Sequence, residues 1–220
     1  MDEQIPLFPL GNVLFPGAVL PLHIFEERYR LLVRDLLAMP EPRRFGVVAI
    51  ELGHEVGPGA ARRLATVGCT AVVQRVVPHQ DGRFDLVSVG EERFRVTRVD
   101  ESPPYPRATV TPLPDEPGSD PDGPASQVGR LFRRYVRHLA DAGGQLPESI
   151  DSPVDPVRLS YFVAGALIVG RGHKQRLLEA PDAAARLRLE ADLLARENGL
   201  LSRLPTTPAP HFRTIDTGPN

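Results

Sequence analysis

The sequence predicts an α+β fold in which a β-rich half precedes a helical half. Three observations carry that prediction. Residues 4–111 hold short runs rich in Val, Phe and Thr, with partial alternation and turn residues between them. One amphipathic helix interrupts these runs. Beyond a proline-rich stretch the apolar period lengthens to that of a helix.

In chain order, the strand-like runs are Ala18–Ile24, Arg44–Glu51, Ala65–Val77, Arg83–Val89 and Phe94–Val99, with Tyr105–Pro112 closing the set as a proline-bounded edge strand. Asp81-Gly82 supplies the positive φ that a tight hairpin turn prefers, and Gly90-Glu91-Glu92 reads as a second turn. The early helix places Phe25, Tyr29, Leu32, Val33, Leu36 and Leu37 on one face and ends at Met39-Pro40. Pro112 to Pro124 has almost no apolar content, so burial cannot offset its ordering entropy, and it reads as a mobile linker.

Helices follow at Gln127–Ala142, from Asp155-Pro156 to Val169, at Lys174–Glu179 and, started by Pro181-Asp182, at Ala183–Asn198, with Gly199 at the C′ position. The expected organisation is a β-rich domain at 1–112, a linker at 113–126, a helical subdomain at 127–204 and a disordered tail at 205–220.

Composition narrows the class. The 41% hydrophobic and 25% charged content is that of an ordinary globular protein. Cys69 is the only cysteine, which rules out an internal disulfide and favours a cytoplasmic setting. The acidic start Met1-Asp2-Glu3 is unlike a signal peptide, and the longest apolar run, Tyr161–Val169, falls far short of the ~20 residues of a membrane span. The net charge of −2 argues against a general nucleic-acid binder. It conceals an acidic first half and a basic, arginine-rich helical half.

The segment from Ile5 to Tyr29 reads Pro6-Leu7-Phe8-Pro9-Leu10, then Phe15-Pro16-Gly17, then Pro21-Leu22-His23-Ile24-Phe25-Glu26-Glu27-Arg28-Tyr29. It closely resembles the opening of the Lon protease N-terminal, substrate-binding domain. Phe45-Gly46-Val47-Val48, Val67-Gly68-Cys69, Asp81-Gly82-Arg83-Phe84 and Gly90-Glu91-Glu92-Arg93-Phe94 extend the resemblance in order to about residue 112. It implies a PUA-like β pseudo-barrel with one packed helix, followed by a C-terminal helical bundle. It also implies a module that binds unfolded or degron-bearing polypeptide, as an adaptor to an ATP-dependent AAA+ protease acting in trans.

Catalytic signatures are missing from these 220 residues. Gly170-Arg171-Gly172-His173-Lys174-Gln175 lacks the spacing and hydroxyl of a P-loop and follows a helix. The sole lysine, Lys174, has no serine beside it in sequence to form the family's Ser–Lys dyad, and Ser88 is not in a nucleophile elbow. The six histidines show no metal-ligand spacing, so the sequence suggests no metal and no cofactor. Cys69 reads as a small buried hydrophobe. A non-enzymatic binding protein is expected.

Two surfaces are candidates for binding. Phe15, Tyr29, Arg93 and Phe94 form the polypeptide-binding set, whereas their apolar neighbours Leu22 and Phe25 are better explained as core. Tyr29 and Arg93 carry polar ends on apolar stems, which suits partial exposure. Arg130, Arg134 and Arg137 form a guanidinium-rich helix face for an anionic partner, which keeps RNA binding as the alternative, against a plain solvated face.

Overall fold

The computed structural model describes residues 3–53, 55, 57, 61–102, 104–143 and 151–203. The expected disordered tail, 205–220, lies outside them, as do His54 and His211. The strands are β1 (Glu3–Leu10), β2 (Val19–Ile24), β3 (Arg44–Gly53), β4 (Ala61–Leu64), β5 (Val67–Pro78), β6 (Phe84–Asp100) and β7 (Arg107–Leu113). The helices are α1 (Glu27–Ala38), α2 (Asp122–Asp141), α3 (Pro156–Ala166), α4 (Arg171–Glu179) and α5 (Ala183–Leu201).

The pairings run β1-β7-β6-β5-β3 and return to β1, which is antiparallel to β7 through Glu3–Pro6 and parallel to β3 through Leu7–Leu10. Strand β2 hangs on β6 and β4 hangs on β3. Because β1 is flanked on both sides, its residues Ile5 to Pro9 are buried on both faces and read as a continuous apolar run. Leu7 packs with Val48, Phe94 and Val110, whereas Phe8 packs with Tyr29, Leu32 and Phe45 beneath α1.

Several expected boundaries move for identifiable reasons. The two runs on either side of Gly90-Glu91-Glu92 are one bent strand of 17 residues, β6, and not a hairpin. A Cβ on Gly90 would lie 2.2 Å from the Phe15 carbonyl oxygen, so glycine admits the connection to β2 where β6 changes partner. Phe84–Val89 pairs with β2 and Arg93–Asp100 with β7. The run Ala65–Val77 is β5 alone, with β4 ahead of it. Strand β7 is internal, not an edge; its proline is tolerated because β1 pairs only with Arg107–Val110, leaving Pro112 flanked on one side.

The expected stripe of α1 loses two members. Phe25 precedes the extended N-cap Glu26 and is 51% exposed, and Leu37 is exposed at the stripe's edge. Met39 does end the helix in an extended conformation. Helix α3 stops at Ala166, where Leu167 turns extended and the Ile168 N–H donates to the Tyr135 hydroxyl at 3.1 Å. Gly170 then serves as the N-cap of α4. Gly199 lies inside α5, which continues to Leu201. The acidic starts behave as expected: Asp155 accepts from the Arg158 N–H at 2.9 Å and Asp182 from the Ala185 N–H at 2.7 Å.

The stretch expected to be a mobile linker is held in place, and its last residues belong to α2. The Ala183 N–H donates to the Glu116 carbonyl and the Ala184 N–H to the Pro117 carbonyl. The principal tie is Arg93, 2% exposed on β6. Its guanidinium donates to the Leu178 and Ala180 carbonyls at 3.0 and 2.6 Å, to the Pro114 carbonyl at 3.1 Å and to Asp115 Oδ1 at 3.1 Å. A strand arginine therefore caps the end of α4, whose last carbonyls have no partner within the helix and carry its negative dipole end.

Arg186 of α5 adds a second guanidinium to that helix end, donating to the Leu177 carbonyl at 2.9 Å. It also donates to the Tyr161 hydroxyl at 3.0 Å, and Tyr161 donates to Asp115, closing the network. Around it, Phe15, Ala49 and Val67 of the β-rich half share a core with Phe132, Leu159, Leu177 and Leu194 of the helices. The helices are fixed to the sheet.

Glu190 is fully buried on α5, and neither carboxyl oxygen has a hydrogen-bond partner among the described residues. Burial raises its pKa well above the usual glutamate value, against the opposing charge of Arg186, and so favours the neutral carboxyl.

Four outcomes follow for unfolding in urea. Arg93→Met orphans the α4 carbonyls and should cost about 3 kcal/mol. Gly90→Ala should cost about 2 kcal/mol through the clash with Phe15, whereas Gly129→Ala, whose Cβ meets only ordinary contact distances inside α2, should stabilise by about 0.5–1 kcal/mol. Glu190 binds its proton more tightly when folded, so its contribution is complete below the ordinary glutamate pKa and lost as pH rises towards the folded value. Glu190→Gln should therefore gain stability relative to the parent chain as pH climbs from 5 to 8; a constant difference would refute the buried neutral carboxyl.

Candidate functional site

Strand β2 is paired on one side only: among the described residues β6 is its single partner. Leu20, Leu22 and Ile24 turn towards the α1 core, while Val19, Pro21 and His23 turn outward and are exposed. Edge strands present unpaired backbone groups, and Pro21 limits unspecific pairing there.

Two hollows follow this strand. One, of about 220 Å³, is lined by Phe8, Pro9 and Leu10 of β1, by Pro21 to Glu26, and by Tyr29 and Glu55. The other, of about 160 Å³, is lined by Asn12 to Phe15, Ala18 to Leu20, Gly165 and Lys174. They share Leu10. Consecutive residues of β2, inward and outward alike, line them, so the trough runs along the strand's edge and not over one face. Val19, 65% exposed, and Phe25 add apolar surface at its two ends.

The walls are stiff. The Tyr29 ring stacks on Phe8 with centroids 4.1 Å apart, and the Arg28 guanidinium lies 4.5 Å over Tyr29. Burial pushes the Tyr29 hydroxyl up to about 12. The Gly17 N–H donates to the Gly90 carbonyl and the Gly90 N–H to the Ala18 carbonyl, which pins the start of β2. Glu26 and Glu55 line one end, where Glu26 is ion-paired with Arg28 at 3.1 Å. Lys174 marks the other; it donates to the Gly165 carbonyl at 2.9 Å, and partial burial lowers its pKa. The described lining includes no serine, threonine or cysteine, so no alcohol or thiol nucleophile of the usual kind faces the trough.

The expected site residues do not form one surface. Phe15, Tyr29, Arg93 and Phe94 are all buried. Phe15 and Tyr29 contribute to the trough's walls, Phe94 fills the interior beside Leu7 and Val110, and Arg93 caps α4 instead of meeting solvent. The partial exposure expected of Tyr29 and Arg93 is thus corrected: stacking and capping bury both stems and heads. Arg130, Arg134 and Arg137 are exposed along α2, and none lines the trough; Arg134 donates to His138 at 3.2 Å.

What sequence reading missed is the outward row Val19, Pro21, His23 and Phe25. Both rows of β2 are largely apolar, so alternation did not separate wall from surface. Three residues far apart in sequence also meet: His23 on β2, His79 beyond β5 and Asp85 on β6. Cys69 is fully buried, and burial pushes its thiol pKa up, away from reactivity. No helix among the described residues is long and apolar enough to cross a membrane.

Comparison with known proteins accords with this architecture. The family model of the ATP-dependent protease La (LON) substrate-binding domain matches residues 4–196. Lon protease 2 of Myxococcus xanthus is 31% identical over 206 residues, and Lon protease of Paraburkholderia phytofirmans is 31% identical over 198 residues. These alignments cover 91% and 88% of this chain, and the chain spans about a quarter (24%) of the length of each relative.

Among solved structures, the Lon N-terminal domain protein from Xanthomonas campestris superposes with a TM-score of 0.60 at 24% identity, covering 92% of this chain and 99% of that one. The N-terminal domain of Mycobacterium avium complex Lon protease gives 0.62 at 20% identity, covering 88% and 98%. By its residue pattern, its fold and the match over residues 4–196, the chain belongs to the LON substrate-binding domain family.

Proposed function

We propose that the chain is a non-catalytic polypeptide-binding module that receives an extended, apolar segment of an unfolded or degron-bearing protein along the free edge of β2. The observation that carries this reading is the trough itself, with unpaired strand edge and exposed apolar side chains in one place. Main-chain hydrogen bonds to a strand edge give affinity without sequence preference, and Val19, Phe25 and the hollow between them select apolar side chains.

The family supports a substrate-binding role, and the bound client would be handed to an AAA+ protease acting in trans. The closed circuit of strands supports a PUA-like pseudo-barrel, with α2–α5 as its C-terminal helical bundle. The single buried cysteine supports a cytoplasmic setting. The arginine face of α2 has no stacked aromatic platform of the kind RNA recognition uses, and it takes second place.

Fluorescence anisotropy with a labelled, reduced and alkylated polypeptide tests the proposal. Saturable binding is expected, and Val19→Ser with Phe25→Ser should weaken it at least about tenfold, since each apolar contact contributes on the order of 1 kcal/mol or more. Changing Arg130, Arg134 and Arg137 together to Ala should leave the affinity within about twofold. Absence of binding, or loss only in the arginine variant, would overturn the reading.

A further inference from the structure

We infer that His23, His79 and Asp85 form a binding site for a divalent transition-metal ion of the zinc type, at the end of β2 where His23 also borders the trough. His23 and Asp85 come from adjacent strands, and His79 is the first residue beyond β5. His23 on β2 stands directly opposite Asp85 on β6 in the antiparallel register. Asp85 is opposite Val77 on β5, and His79, two residues further along, returns to the same face by the period of a strand. The hairpin fixes His79 through its N–H, which donates to the Arg83 carbonyl at 2.8 Å. Gly82 supplies the positive φ, 79°, that closes the turn.

The donor atoms converge. His23 Nδ1 lies 2.7 Å from Asp85 Oδ1, His79 Nε2 lies 2.7 Å from Asp85 Oδ2, and one ligand atom of each residue lies within 4.8 Å of the others. Ligands about 2.0–2.1 Å from a tetrahedral ion are separated by about 3.3 Å, so small rotations of the three side chains bring them to bonding distance. The side chains are 48%, 39% and 50% exposed, which leaves room for those rotations and for a fourth ligand from water or a partner.

Two imidazoles and one carboxylate select the ion. Such a mixed nitrogen and oxygen set suits zinc, cobalt or nickel, whereas magnesium and calcium require all-oxygen shells. Binding requires His79 to carry its proton on Nδ1 in place of Nε2, and His23 to surrender the proton on Nδ1 and carry it on Nε2. That nitrogen now faces Arg83 Nη1 at 3.4 Å, so Arg83 must turn aside; it is exposed and already paired with Asp81 at 2.6 Å.

Isothermal titration of the full, untagged chain with zinc chloride in a weakly coordinating buffer should show one ion per chain. Cobalt(II) should give the visible absorption of a low-symmetry site with nitrogen donors. His23→Ala, His79→Ala and Asp85→Asn should each raise the zinc Kd at least about tenfold, no less than the loss of a mere supporting group does at known sites. His138→Ala should leave it unchanged, with circular dichroism reporting intact folding in all four. No heat with zinc, half an ion per chain, or affinity indifferent to His79→Ala would overturn the site.

Discussion

A guanidinium removed from water costs several kcal/mol unless acceptors surround it, and Arg93 meets that requirement in only one arrangement. Its carbonyl acceptors at Leu178 and Ala180 exist because α4 ends there, and Asp115 and Pro114 are reached because the chain leaving β7 passes over the same spot. Arg93 thus helps to fix α4 against the sheet, together with Gln175 of α4, which donates to the Val67 carbonyl of β5 at 3.1 Å. Through Asp115, Tyr161 and Arg186 the same requirement draws in α3 and α5. The two halves of the chain share one apolar core, and this polar network ties them together across it.

That constraint reaches the trough. Its far end is built from Gly165 and Lys174, which the docked helices bring to Val13 and Phe15. Its near end is the stacked pair Phe8 and Tyr29 under Arg28. Strand β2 is anchored along its inner side by β6 and at its start by the bonds at Gly17, Ala18 and Gly90. An edge held this firmly loses little conformational entropy when a partner strand is added, which favours binding of a client that must itself be ordered.

Local chemistry was legible in the sequence wherever a residue acts on its neighbours. The Asp155-Pro156 and Asp182 caps, the stop at Met39, the Asp81-Gly82 turn and the shift of period all appear in the structure, because each is decided within a few residues. What was hidden is decided at long range. Gly90 resembles a turn residue until Phe15 is seen pressed against it. Asp115 sits in a stretch with the composition of a linker, yet it is held by an arginine from β6. Arg93 resembles an exposed contact because nothing near it in sequence reveals that a helix end awaits it. Phe25 continues the period of α1 but lies one residue outside its cap, and so becomes surface. Of the expected polypeptide-binding residues, only Phe15 and Tyr29 line the trough, and they do so as walls.

The central claim is that client polypeptide pairs with the free edge of β2, and amide hydrogen exchange measured by mass spectrometry tests it most directly. With saturating unfolded polypeptide, exchange should slow in the peptide spanning Val19–Phe25 while the α2 segment carrying Arg130, Arg134 and Arg137 is unchanged. Protection confined to α2, with β2 exchanging as in the free chain, would contradict it.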